Sequence, residues 1–239
     1  MNSTQVNLAT LLDEIKINLS DKQVSLLERY INILLTANQF VNLTSITDCN
    51  EAMVKHIYDS LVIMTTPQFK SAHTVIDVGS GAGIPSIPLA ISNPSKSIIS
   101  LEATQKKVNF QIEASQQLGL QNLNVIWGRA EEIARQKAHR EQYDLVVARA
   151  VAPLNILVEL TIPFVRLYGS AIYYKGKEAE NEIIKGAKAI QSLGAELIEA
   201  KSFSLPYNFG SRELIILQKT IQTSSVFPRK SGIPHKKPI

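Results

Sequence analysis

The sequence predicts an α/β fold in which a helical N-terminal extension precedes a mostly parallel sheet of seven strands. Three observations carry this expectation. From Val6 to about Met64 the apolar residues keep helical spacing: Leu8, Leu11, Leu12, Ile15 and Leu19, then Val24, Leu26, Leu27, Tyr30, Ile31, Leu34 and Leu35 after a Ser20-Asp21 cap. Beyond a break at Pro67 the period changes, and seven β-rich runs follow: HTVIDVG, SIISLE, NLNVIWG, YDLVVARA, SAIYYKG, GAELIEA and RELIILQ. Helical stretches alternate with most of them, which is the pattern of βαβ units on a parallel sheet. Only KSFSLPYNFGS joins the last two runs, without helical periodicity, so that pair is expected to be antiparallel. The expected division is a helical extension over 1–66, an α/β domain over 67–226 and a basic tail over 227–239.

Composition excludes several classes. With 239 residues, 45% of them hydrophobic, the chain is long enough to bury a full core. Cys49 is the single cysteine, so no disulfide framework exists, and a lone thiol suits a reducing compartment. The uncharged stretch from Val78 to Ser95 is interrupted by Gly79, Gly81, Gly83, Pro85, Pro88 and Pro94 and does not read as a membrane span. The start, MNSTQVNLATLLDEIK, lacks the basic and apolar runs of a signal peptide, which predicts a cytoplasmic protein. Of the net charge of +4, all is contributed by Arg229, Lys230, Lys236 and Lys237, leaving 21 bases against 21 acids elsewhere. The tail FPRKSGIPHKKPI therefore reads as an extended basic arm for phosphate, with a merely solvated tail, or one folded back through Phe227, Ile233 and Ile239, as the alternatives.

In an open parallel sheet ligands bind beyond the carboxyl ends of the strands. The first such loop, VIDVGSGAGIPSIPLAI, carries Gly79, Gly81 and Gly83 after Asp77. A dinucleotide fingerprint needs its third glycine at position 84, where this chain has Ile84 followed by Pro85. The spacing instead resembles motif I of class I S-adenosylmethionine-dependent methyltransferases, which implies a Rossmann-like fold and that cofactor. Glu102 follows about 20 residues on, where a carboxylate can accept both hydroxyls of a ribose. GRAEE after the third strand offers the backbone of Ala130 and Glu131 to an adenine, although Glu131 is also placed as a first-turn helix carboxylate. After the fourth strand the chain reads ARAVAPL, without the Asp/Asn-Pro-Pro-aromatic loop of amino-group methyltransferases. A ring nitrogen with a free lone pair, such as guanine N7, needs no base and only alignment. Arg149 would then hold the cofactor carboxylate or donate to guanine O6, against the plainer role of an ion pair with Asp144 or Glu102. His56 is a candidate cap on the pocket or an ordinary helix-surface histidine. No metal site is expected, since His73, His139 and His235 are scattered and Cys49 has no partner at ligand spacing.

The run NQFVNLTSITDCNEAMVKHIYDSL, with VIDVGSGAGIPSIPLAI, GRAEE, ARAVAPL, YKG and FPRKSGIPHKKP, resembles the RsmG (GidB) family from about residue 20 to the C-terminus. The resemblance implies a methyltransferase that transfers a methyl group from S-adenosylmethionine to N7 of a guanine in 16S rRNA of the small ribosomal subunit. It also implies cofactor contacts at Gly79, Ile84, Ala130, Glu131 and Arg149, with Glu102, Ala103 and Thr104 at the ribose, although an Asp is common in the family at the position of Glu102. Arg129, Lys175, Arg229, Lys230, Lys236 and Lys237 are the expected RNA contacts, because they lie on the strand-end face or can reach it. A monomer is expected. The competing functions are a small-molecule methyltransferase, which has no use for a basic tail, a NAD oxidoreductase, which conflicts with Ile84, and a non-catalytic ribosome-assembly factor, which needs no ribose carboxylate.

Overall fold

The computed structural model describes residues 6–239; the first five residues of the predicted extension lie outside the described residues. Asn7 accepts from Thr10 N to cap α1 (Leu8–Glu14), and Ser20 with Gln23 forms a capping box on α2 (Asp21–Asn38). Asp48 caps α3 (Cys49–Ala52), which continues through a π-helical segment, Met53–Tyr58, into α4 (Asp59–Leu61). Pro67 does not break the chain as expected. It opens α5 (Pro67–Ser71) in the first turn, where a missing N–H leaves no bond unmade, and Thr66 supplies the cap.

The alternating region then runs β1 (Thr74–Val78), α6 (Ser86–Ser92), β2 (Ser97–Glu102), α7 (Gln105–Leu118), β3 (Leu123–Trp127), α8 (Ala130–Ile133), β4 (Tyr143–Arg149), α9 (Leu154–Thr161), β5 (Val165–Lys175), α10 (Ala179–Ser192), β6 (Ala195–Ser204) and β7 (Ser211–Lys219), with α11 (Ile233–Lys236) in the tail. The seven strands form one sheet in the order β3-β2-β1-β4-β5-β7-β6. β1 pairs in parallel with β2 and β4, β2 with β3, and β4 with β5. β7 runs antiparallel to β6, as the absence of a connecting helix predicted, and also antiparallel to β5. The order reverses between β1 and β4, so a crevice opens at their carboxyl ends.

Period-two alternation along the strands divides the core between two faces. Val75, Leu145 and Val147 meet Leu27, Tyr30, Ile31, Leu34 and Ile57 of the N-terminal helices in one continuous cluster. Ile76, Val146 and Ala148 face the other way, against Leu157 of α9, Ala189 of α10 and Phe164. The N-terminal helices are thus one layer of the sandwich over the sheet. At about 1.5–3 kcal/mol for each fully buried aliphatic or aromatic side chain, this shared core ties the extension to the sheet far more strongly than any single hydrogen bond could. Among the described residues no helix is long and apolar enough to cross a membrane.

Candidate active site

A cavity of about 550 Å³ opens at the carboxyl ends of β1, β2 and β3. Val78 and Gly79 line it from β1, Glu102, Ala103 and Thr104 from β2, and Gly128 to Glu131 from β3, with Val151 and Leu160 across the crevice. Gly79 N and Ser80 N both donate to Leu101 O, at 2.8 and 3.2 Å, which holds the glycine loop against the end of β2. Gly79 has φ of +77°, and a Cβ there would stand 2.7 Å from Val151 Cγ2, so the chain passes only because the residue is glycine.

Glu102 is the organising acid. Its Oε2 accepts from Gly81 N at 2.9 Å and its Oε1 from Thr104 N at 2.7 Å, so the carboxylate is held rigidly at the cavity wall with lone pairs to spare for a diol. Ala130 and Glu131 begin α8 and line the cavity, and at the start of a helix their amides have no intrahelical acceptor. The volume, the fixed carboxylate and these open amides fit an adenosine-bearing cofactor.

Beneath the loop lies a polar network that the sequence did not announce. Gln111 Nε2 donates to Gly81 O at 2.8 Å and to Ser80 Oγ at 2.9 Å, and Ser100 Oγ bonds Ser80 Oγ at 2.6 Å, Ser86 Oγ at 3.1 Å and Gln111 Oε1. The signal was present on α7, where Gln111 interrupts the inward stripe of Val108, Ala114 and Leu118. Asp77 is wholly buried with one oxygen on Ser86 N and the other unpartnered. Burial pushes its carboxyl up to about 7. Ile84, expected at the cofactor, has a buried side chain, and its N–H bonds Ser80 O at 2.9 Å as the chain turns toward α6.

Arg149 is held from the N-terminal layer, not by Asp144 or Glu102. Its guanidinium donates to Lys55 O at 2.6 Å, Asp59 Oδ2 at 3.1 Å and His56 Nδ1 at 3.1 Å. Since arginine can only donate, His56 Nδ1 is the acceptor, and the proton sits on Nε2, which donates to Thr44 Oγ1 at 2.9 Å. Burial, reinforced by the Arg149 charge, pulls His56 down to about 4. His56 is therefore neither a cap on the pocket nor a surface residue: it belongs to the π-helical segment beneath β4. Arg212 shares Asp59 at 3.2 Å, and burial raises the Asp59 carboxyl against the pull of both arginines. Just past Arg149, Ala150 has φ of +55°, a strained conformation for a residue with a Cβ.

The tail is folded, which corrects the expectation of an extended arm. Arg229 N and Nε donate to Glu159 Oε1 at 2.7 and 2.9 Å, and Glu159 is completely buried. Arg140 donates to the carbonyls of Phe227 and Thr223, each at 2.8 Å, and Arg135 to Pro228 O at 2.6 Å. Phe227 and Ile239 lie against the second core cluster. Two expected RNA contacts are therefore already engaged: Arg229 by Glu159, and Lys175 by Glu182 Oε2 at 2.6 Å and Ala152 O at 2.7 Å. Arg129, Lys230, Lys236 and Lys237 remain exposed. Ser231, Gly232 and His235 line the cavity, a role the scattered histidines of the sequence did not suggest.

Residues 23–215 match the family described as rRNA small subunit methyltransferase G, or GidB. The ribosomal RNA small subunit methyltransferase G of Alkaliphilus metalliredigens is 44% identical over 226 residues, 95% of each chain. Its namesake in Moorella thermoacetica is 43% identical over 232 residues, 97% of each chain, and that of Desulforamulus reducens is 38% identical over 239 residues, the full length of both. Among solved structures, the O-methyltransferase from Bacillus cereus in complex with SAH superposes with a TM-score of 0.60 at 15% identity, covering 89% of this chain and 97% of that one. TYW2 of M. jannaschii in complex with AdoMet gives 0.51 at 16% identity, over 87% and 81%. These two share the fold, whereas the family match spans most of the sequence with its site: the chain belongs to the GidB family of rRNA small subunit methyltransferases G.

Proposed function

We propose that the chain binds S-adenosylmethionine in the cavity at the ends of β1, β2 and β3 and methylates N7 of a guanine in 16S rRNA of the small ribosomal subunit. The observation that carries this reading is Glu102, fixed by Gly81 N and Thr104 N where a ribose diol would be gripped. Glu102 would hold the ribose, with Ala103 and Thr104 beside it, the amides of Ala130 and Glu131 would meet the adenine, and the chain at Gly79 would pass close to the methionine end. S-adenosylmethionine supplies a methyl group activated on a sulfonium.

No residue need act as a base. The N7 lone pair forms the new N–C bond, the S–C electron pair goes to sulfur, no proton leaves, and the base becomes cationic. The arrangement agrees with that demand. Glu102 accepts from two amides, Glu131 Oε1 accepts from Gly232 N at 3.0 Å, and the acceptor nitrogen of His56 is covered by Arg149. Arg149, held in place by Asp59 and His56, would orient the cofactor carboxylate or the O6 edge of the guanine. Arg129, Lys230, Lys236 and Lys237 would meet phosphates. The chain is read as a monomer that works in the cytoplasm, where its rRNA substrate is found.

Glu102→Ala should weaken S-adenosylhomocysteine binding by roughly 10- to 100-fold, the loss of one or two charge-assisted hydrogen bonds. Calorimetry on the folded variant checks it, and an unchanged affinity would remove this cavity from the cofactor site.

A further inference from the structure

We propose that the C-terminal turn Ser231–Lys237 is a wall of the cofactor site, with His235 covering the adenosine, and that its exposed lysines make cofactor binding and rRNA binding reinforce one another. The proposal rests on the cofactor reading of the cavity given above and extends it to residues at the far end of the chain.

The turn is tied to the part of the cavity that would receive the purine. Gly232 N donates to Glu131 Oε1 at 3.0 Å and Ser231 Oγ to Glu132 Oε1 at 3.1 Å, so both acids of the α8 first turn hold the tail. Glu131 itself lines the cavity. His235 reaches the same space from α11 and, although it lines the cavity, is otherwise exposed. An imidazole over a purine contributes a stacking contact at little conformational cost. The segment is anchored just upstream, where Arg229 closes over the buried Glu159, so the turn has a fixed base and a free outer surface. On that outer surface stand Lys230, Lys236 and Lys237, all exposed, and no ion pair is recorded for any of them among the described residues. One short segment therefore has the cavity on its inner side and exposed cations on its outer side. If phosphates engage the cations, the turn is held against the cavity and the cofactor binds a more completely formed site. By thermodynamic reciprocity, the cofactor then increases RNA affinity by the same factor.

Deleting the tail is a poor test, because it leaves Glu159 buried without its partner and can simply unfold the chain. His235→Ala removes only the inner contact. In the free protein it should raise the dissociation constant of S-adenosylhomocysteine by about three- to tenfold without lowering the melting temperature of the ligand-free protein. A combined Lys230→Ala, Lys236→Ala, Lys237→Ala variant is compared with its own S-adenosylhomocysteine affinity in the absence of RNA. With 16S rRNA transcript added, the unmodified protein should bind S-adenosylhomocysteine about fivefold more tightly, and the triple variant should lose that gain. Glu102→Ala serves as the control. If Glu102→Ala weakens binding as predicted while His235→Ala and the triple variant both behave as the unmodified protein, the tail proposal is overturned and the cavity reading stands. If neither Glu102→Ala nor His235→Ala changes affinity, the cavity reading itself has failed.

Discussion

Gly79 and Gly81 show how one motif serves two local requirements. Both have positive φ, +77° and +61°, but a Cβ on Gly79 meets Val151 whereas one on Gly81 meets nothing within 4 Å. Gly81→Ala should therefore cost only the left-handed penalty, roughly 1–2 kcal/mol. Gly79→Ala should cost that and about 1–3 kcal/mol of overpacking more. Denaturant titration checks the pair, and adding Val151→Ala to Gly79→Ala should recover the steric part. A bulkier residue at Gly79 would thus damage the fold as well as ligand binding, which the sequence, blind to Val151, cannot reveal. Asp77 makes a pH prediction. Its carboxyl is raised from the usual 3.8 to about 7 by burial, so the native state keeps a proton that the unfolded chain releases. The associated stability is present below about pH 4 and is lost as pH rises through 7. Asp77→Asn should therefore show a smaller fall in melting temperature between pH 5 and pH 8 than the unmodified protein. Parallel curves would mean that Asp77 ionises normally.

At the scale of elements, the strand runs, the antiparallel last pair and the Ser20 cap were legible because each depends on local pattern: period two, a missing helix, a hydroxyl before a helical stripe. Glu102 and the glycine loop were legible because spacing along a βαβ unit sets position in space. What spacing could not show was the lateral bonding between elements. Arg149 finds its carboxylate in Asp59, ninety residues away in sequence. Tyr30, read only as an apolar position on α2, donates its buried hydroxyl to Ala82 O in the glycine loop at 2.9 Å. Tyr30→Phe should leave that carbonyl short of a donor and cost about 1–3 kcal/mol in denaturant unfolding. A change within a few tenths of a kcal/mol would show that the N-terminal layer supports the loop by contact alone. The tail was misjudged for a similar reason. Its composition is that of a solvated arm, and nothing local announces that Glu159, inside the mostly apolar α9, will be neutralised by Arg229.

At the scale of the whole molecule, the sheet links the N-terminal layer to the C-terminal turn: Arg149 of β4 bonds to the first and the cavity at the ends of β1, β2 and β3 is lined by the second. The helices position Arg149, the strand ends supply the loops that line the cavity, and the tail adds Ser231, Gly232 and His235 to its wall while displaying cations. With alignment the only demand of N7 methylation, the single-turnover rate should stay level from about pH 6.5 to 8.5, with no one Asp, Glu or His titrating as an essential base. A steep dependence on a single pKa would point to an acceptor that must first lose a proton. The most direct measurement is to incubate the protein with methyl-labelled S-adenosylmethionine and small ribosomal subunits, digest the RNA to nucleosides and map the label. The label is predicted on 7-methylguanosine from one position of 16S rRNA, and strongly reduced at sub-saturating cofactor when Glu102 is replaced by alanine. Label on an exocyclic amine or a ribose, or turnover confined to small molecules, would contradict the account.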